Sequence, residues 1–292
     1  MERRKSGKSA KAMADYIGRS QSPLTDEQWD ALEKAVIEGA KRYLVGRRFL
    51  NLYGPLGAGV QYMEFKSYAG DFNAVVDCVG ESDENALHSP SRCVKRIPMI
   101  YKDFKIEWRD LETYEAQGLP IDTTPAEMSA AFVAQMEDEL IFNGNPQFGI
   151  EGLLTAEGRS TVPMGNWDEE GGAYEDVLKA QELLASKGFY EPYALVLSPQ
   201  LYSKLIRAYK NTTYLEIDLI KKGITHCIHK SPAIKGKKAV LLACGPEYVD
   251  LAVSQDISLA FLETSKMNHY FRVFEVVVPR IKVPAAICTI EG

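Results

Sequence analysis

The chain has 292 residues, 46% hydrophobic and 25% charged, a balance that fits a water-soluble globular protein of one large or two ordinary domains. Its net charge of −6 divides unevenly: residues 1–12 set Arg3, Arg4, Lys5, Lys8 and Lys11 against Glu2, leaving −10 on the rest, which argues against duplex nucleic acid as partner of the body. No run of 18 apolar residues occurs, five cysteines are scattered and the first residues lack an apolar stretch, so no membrane span, disulfide framework or secretory leader is expected.

The basic arm is expected to be a solvated, disordered leader, with Met13 as an alternative start, and any nucleic-acid contact is confined to it. Thr25-Asp-Glu-Gln28 is a capping box that predicts a helix to about Tyr43, with Trp29, Leu32, Val36 and Ala40 as its buried stripe. Phe49, Leu50, Leu52 and Tyr53 predict a strand entering Gly54-Pro-Leu-Gly-Ala-Gly59. Residues 61–94 hold strand pieces separated by Gly, Asp, Asn and Ser, a two-stranded arm that cannot bury much by itself. Phe104, Ile106 and Trp108 alternate with Lys105, Glu107 and Arg109, the pattern of another strand.

Thr124-Pro-Ala-Glu127 repeats the capping device and opens a long helix to Phe142, ended by Gly144, with Met128, Phe132, Met136 and Leu140 along one face. Further helices are predicted over Tyr174–Ser186, stopped by Gly188, and after Ser198-Pro199, carrying Leu201, Leu205 and Ile206. Ala194–Leu197, Ala239–Ala243 and most of Tyr270–Ile290 read as strands, giving a mixed α+β chain without internal repeats.

No catalytic constellation is expected. Gly54, Gly57 and Gly59 are followed by the alternating Val60–Phe65, not by a helix, so they predict a corner between strands and not a phosphate cradle. Gly7-Lys8-Ser9 matches the end of a phosphate loop, but Glu2 stands where its first glycine belongs. Thr225-His-Cys-Ile-His229 clusters potential metal ligands without the second cluster a tetrahedral site needs, so no metal is expected. Glu137 and Glu139 diverge by about 200° on a helix, and with Asp138 and the pair Glu169-Glu170 they predict a solvated or inter-subunit face. None of the four histidines lies three residues after a glutamate, and neither H-E-x-x-H nor G-x-S-x-G occurs.

Several segments together resemble one family. Pro23-Leu-Thr-Asp-Glu-Gln-Trp29, Leu44-Val-Gly-Arg-Arg-Phe49 and Tyr53-Gly-Pro-Leu-Gly57 are similar to the start of the classical (family 1) encapsulin shell proteins, also labelled linocin-type bacteriocins. The likeness continues through Ile97–Phe104, Glu137–Gly144, Gly149–Leu154, Ala194–Pro199, Leu251–Asp256 and Met267–Val273, nearly the whole chain from Met13.

The resemblance implies an α+β fold of the HK97 phage major capsid type. It divides the chain into a basic arm 1–22, an N-terminal helix and strand 23–60, an extended loop 61–94, a peripheral domain 95–144 with 249–292, and an axial domain 145–248. Helix 125–142 would be the spine, and the loop would pack on a neighbouring subunit. The implied function is a cytoplasmic shell subunit that closes into a hollow icosahedron (T=1 or T=3) by heterologous interfaces. Such a shell encloses a ferritin-like ferroxidase or a dye-decolorising peroxidase through the cargo's C-terminal peptide.

On the family's pattern the peptide would meet Leu44, Arg47, Phe49, Asn51, Asp256 and Ile257. Leu44, Phe49 and Ile257 would take apolar anchors and Arg47 a carboxylate or carbonyl, so Arg47→Ala is expected to lose cargo and keep assembly. Asn51 stands where other members carry an acid. Tyr209, Lys210, Asn211, Thr212, Thr213 and Tyr214 would form the loop at the five-fold pore. Trp108 is offset by about two residues from the position where some members hold a flavin, so no cofactor is expected. A prophage major capsid protein shares the fold and is the alternative.

Overall fold

The computed structural model describes residues 15–70, 72, 74–76, 78–79, 86–209 and 212–292. The basic arm 1–12, Met13, and Lys210 and Asn211 of the pore loop lie outside the described residues. In chain order the elements are α1 (Asp26–Lys41), β1 (Asn51–Tyr53), β2 (Tyr62–Ala69), β3 (His88–Arg96), β4 (Met99–Ile106), α2 (Trp108–Gln117) and α3 (Thr124–Asn143). Two short strands follow, β5 (Gly144–Asn145) and β6 (Ile150–Glu151), then β7 (Ser160–Pro163), α4 (Gly172–Ser186), β8 (Tyr193–Leu197), α5 (Pro199–Leu205), α6 (Glu216–Gly223) and β9 (Cys227–Lys230). The chain closes with β10 (Lys238–Ala243), β11 (Val249–Ser265), β12 (Asn268–Ile281) and β13 (Ile287–Glu291).

Two apolar cores result. The first lies under the sheet β1-β11-β12-β4, in which β11 and β12 form a long antiparallel hairpin and β1 joins β11 in parallel. Its lid is made by α1 and α3. The second core fills the sheet β7-β13-β10-β8-β9, flanked by α4, α5 and α6. Strand β8 is buried at all five positions, which explains its unbroken apolar reading. The capping box of α1 is realised, with Thr25 Oγ1 accepting from Gln28 N and Gln28 Oε1 accepting from Thr25 N.

Two readings need correction. The second capping box does not form: Thr123 is the cap, and the backbone N–H of Thr124 donates to Asp122 Oδ1 at 2.9 Å. The buried side of α3 carries its alanines, and Leu140 is buried with them. Met128, Phe132 and Met136 stand about half exposed, while Ala126, Ala130, Val133, Ala134 and Ile141 are buried. Alanines on α3 and Gly39 and Ala40 on α1 let the two helices approach closely; a Cβ on Gly39 would come within 2.7 Å of Glu127 O. The second correction is Trp108, which opens helix α2 instead of extending β4, its backbone N–H donating to Asn268 Oδ1.

β2 and β3 pair antiparallel from Tyr62↔Arg96 outward and leave Tyr62 and Val94 well exposed. The glycine corner joins β1 to β2. A Cβ on Gly54 (φ 142) would lie 2.2 Å from Val253 O, so no other residue fits this approach to β11. Leu56 N donates to Val253 O, Gly57 N to Ser254 O, and the buried Ser254 Oγ to the carbonyls of Gly57 and Val60. The corner is thereby strapped to β11.

Candidate functional site

After α1 the chain turns through a 3-10 turn, Gly46–Arg48, before β1 begins at Asn51. Arg47 and Phe49 therefore precede the strand. The turn is held from α3: Asp138 accepts from Val45 N (3.1 Å), Gly46 N (2.9 Å) and Ser231 Oγ (3.0 Å). Gly46 has no room for a side chain, since a Cβ would lie 2.4 Å from Ile141 Cδ1. Burial pushes the Asp138 carboxyl up to about 6, against the opposing hydrogen bonds from Gly46 and Ser231.

A carboxyl whose folded pKa is raised contributes stability that is full below the unfolded value and is lost as pH rises through about 6, worth at most about 3 kcal/mol. Asp138→Asn is expected to flatten this part of the melting-temperature profile between about pH 4 and about pH 7. Equal slopes in variant and wild type would remove Asp138 as the cause.

Arg47 is the centre of a buried charge cluster. Its Nε donates to both oxygens of Glu137 (3.0 and 2.9 Å), its Nη2 to Glu137 Oε2 (2.6 Å) and Glu275 Oε2 (2.9 Å), and its Nη1 to Asp256 Oδ1 (2.7 Å). Glu137 and Glu275 have no exposed side-chain surface, whereas Asp256 is 60% exposed. Burial alone would lower the guanidinium's pKa, but the hydrogen bonds and charges of Glu137 and Glu275 outweigh it and hold it above its ordinary value. Glu275 Oε1 receives no donor among the described residues. Burial, then the charge of Glu137, push Glu275 well above the ordinary carboxylate range, against the pull of Arg47.

Of the six residues taken from the family's pattern, Arg47 and Asp256 are brought into direct contact. Leu44 is buried in the first core. Phe49 is half-buried between Phe142 and His229, with ring centroids 6.3 Å apart in each case. Asn51 is exposed on β1 opposite Asp250, and Asp256 is the exposed acid that pairs with Arg47. Own-chain carboxylates accept from Arg47 at Nε, Nη1 and Nη2. The reading of Glu137 and Asp138 as a solvated face is corrected, since both are buried under the turn. Glu139 is more exposed and lies 3.5 Å from Lys235.

Ile257 opens a cleft of about 320 Å³ whose other walls were not singled out from the sequence. Val36, Ile37 and Glu33 of α1 face Gln255, Ser258 and Leu259 of β11, with Tyr16 and Ile17 at one end. The available signal was Ile37, an apolar side chain outside the buried stripe of α1 and 47% exposed. Tyr16 Oη donates to Gln255 Oε1 at 2.8 Å and fixes that end of the cleft.

The described residues of the 209–214 segment are held by backbone hydrogen bonds. Tyr209 N donates to Tyr214 O, Thr212 N donates to Tyr209 O, and Thr212, Thr213 and Tyr214 are exposed. The Tyr209 ring lies 6.1 Å from Tyr174, and Lys222 Nζ sits 5.2 Å over Tyr214. Beneath it Arg207 Nε donates to the fully buried Glu216. Of Thr225–His229, Cys227 and His229 lie on β9, and among the described residues no three His, Cys, Asp or Glu side chains are grouped as metal ligands. No described helix is long and apolar enough to cross a membrane.

The family model described as "Encapsulating protein for peroxidase" matches residues 14–278. The chain is 45% identical over 280 residues to the type 1 encapsulin shell protein EncA of Myxococcus xanthus, covering 96% of this chain and 98% of that protein. The virus-like particle subunit of Pyrococcus furiosus superposes with a TM-score of 0.73 at 20% identity, over 91% of this chain and all of that one. The capsid subunit of Myoviridae phage XM1 gives 0.62 at 10% identity, over 85% and 91%. The fold is of the HK97 capsid type, and the chain belongs to the encapsulin shell-protein family.

Proposed function

We propose that this chain is the shell subunit of a hollow icosahedral compartment, of T=1 or T=3 size, that encloses a cargo enzyme. The observation that carries this reading is 45% identity along almost the whole length of a type 1 encapsulin shell protein. The likeness to a phage capsid supports the fold alone, at 10% identity, so the prophage capsid reading is the weaker one. The exposed side chains of the β2–β3 arm, Tyr62 and Val94 among them, and the half-exposed face of α3 are surfaces that contacts between copies would bury.

The cargo is a peroxidase or a ferritin-like protein, held by its C-terminal peptide in the cleft between α1 and β11. Val36, Ile37, Ile257 and Leu259 offer an apolar floor there, and Glu33 a charged edge. Residues 209–214 line the five-fold pore, and the compartment is cytoplasmic. No catalytic role is assigned to the shell itself. Protein expressed alone and viewed by negative-stain electron microscopy is expected to form closed particles tens of nanometres across. Monomers and small oligomers only, with and without co-expressed cargo, would sink the reading.

A further inference from the structure

Strand β11 is irregular where it borders the cleft. Its pairing with β12 runs Val253↔Val277, Gln255↔Val276 and then Ser258↔Phe274, so β11 carries two more residues than its partner across this stretch. The extra length places Asp256 and Ile257 on a bulge, and bulges re-aim side chains. The bulge is closed locally: Ile257 N donates to Asp256 Oδ1 (2.8 Å), and Ser258 Oγ donates to Asp256 O (2.8 Å). Opposite it on β12 stands Glu275, buried, with its carboxylate on Arg47. The oxygen of Asp256 that receives Ile257 N–H also receives Arg47 Nη1. A buried assembly from three other segments thus ends on the atom that orders the backbone of the cleft wall.

We infer that Glu137 and Glu275 are positioning residues for the cleft: they aim Arg47, Arg47 tethers Asp256, and the tether holds the bulge so that Ile257 is presented to a bound peptide. The proposal rests on the cleft being the cargo site. It gives Arg47 a different part from that of a ligand contact. Three of the guanidinium's donors are fixed by fully buried or tethered carboxylates, and Arg47 keeps 14% of its side-chain surface. A guanidinium can span three carboxylates because its donors fan out in a plane; an ammonium cannot.

The test is amide hydrogen exchange on assembled shells, read over residues 255–258 with α1 as internal reference. Arg47→Lys keeps the charge among the buried acids but cannot also reach Asp256. Glu137→Gln keeps shape but removes the forked acceptor that aims Arg47. Each is expected to speed exchange at 255–258 by about 10-fold or more while α1 is unchanged, and the double variant is expected to add little, because both cut one chain of contacts. Unchanged exchange in both, or effects that add in full, would overturn the tether. Should either variant fail to assemble, Asp256→Asn decides the matter, since its side chain is exposed and the amide keeps an acceptor for Ile257 N–H but loses the charge that pairs with Arg47: faster exchange supports the tether and unchanged exchange overturns it. Co-purification of a co-expressed peroxidase carrying its own C-terminal tail is measured alongside. Faster exchange with lower loading is the expected pair, whereas faster exchange with full loading keeps the tether and overturns the cleft as the cargo site.

Discussion

Arg47→Ala is expected to destabilise the subunit by about 3–5 kcal/mol, because it strands one or two carboxylates in the interior with no counter-charge. The cause is geometric. Glu137 and Glu275 have no solvent-exposed side-chain surface, and Arg47 donates to both. A loss of particle yield, and not of cargo alone, is therefore expected for this variant. Thermal unfolding of purified protein, together with particle yield from matched expression, measures it. A melting temperature within about 1 °C of wild type, with normal yield, would show that the cluster contributes little. Glu275→Gln should be far milder near neutral pH, since the amide resembles the proton-bearing acid that burial favours.

Ile37→Asp should have the opposite profile: assembly and melting temperature near wild type, cargo loading sharply reduced. Ile37 is 47% exposed and lies outside the buried stripe of α1, so the fold loses little. A peptide anchor buried against it would lose about 1.5–3 kcal/mol of apolar contact, or roughly 10- to 100-fold in affinity. The new carboxylate would also stand beside Glu33 in the same cleft. Loading is read from co-purification of a peroxidase with its C-terminal tail, on a gel of size-selected particles. Full loading of the variant would exclude this stretch of α1 from the binding surface.

Much of the fold was legible because its signals are local. Thr25 and Gln28 announce α1, Gly144 ends α3, and the unbroken apolar run of β8 reads directly as a buried strand. What misled was contact between distant segments. The methionines of α3 follow helical spacing as well as its alanines do, but only packing against Gly39 and Ala40 decides that the alanine side faces inward. The end of β4 at Ile106 depends on Asn268, which receives the N–H of Trp108 from 160 residues away.

The candidate site divides along the same line. Arg47, Asp256 and Ile257 were reachable through resemblance, and the structure adds that the first two are bonded to each other. Ile37 and Glu33 were hidden because a cleft wall on an amphipathic helix looks like its solvent face. Sequence by itself determined the mixed class, the capping box of α1 and the glycine corner, since each depends on residue type and short-range spacing. Only tertiary structure decided that Glu137 is buried and not solvated, that Gly54 is strapped to Val253, and that Arg47 serves three acids of its own chain. Those outcomes depend on which distant groups share a low-dielectric interior, and a charge placed there is stable only when partners arrive from elsewhere in the chain.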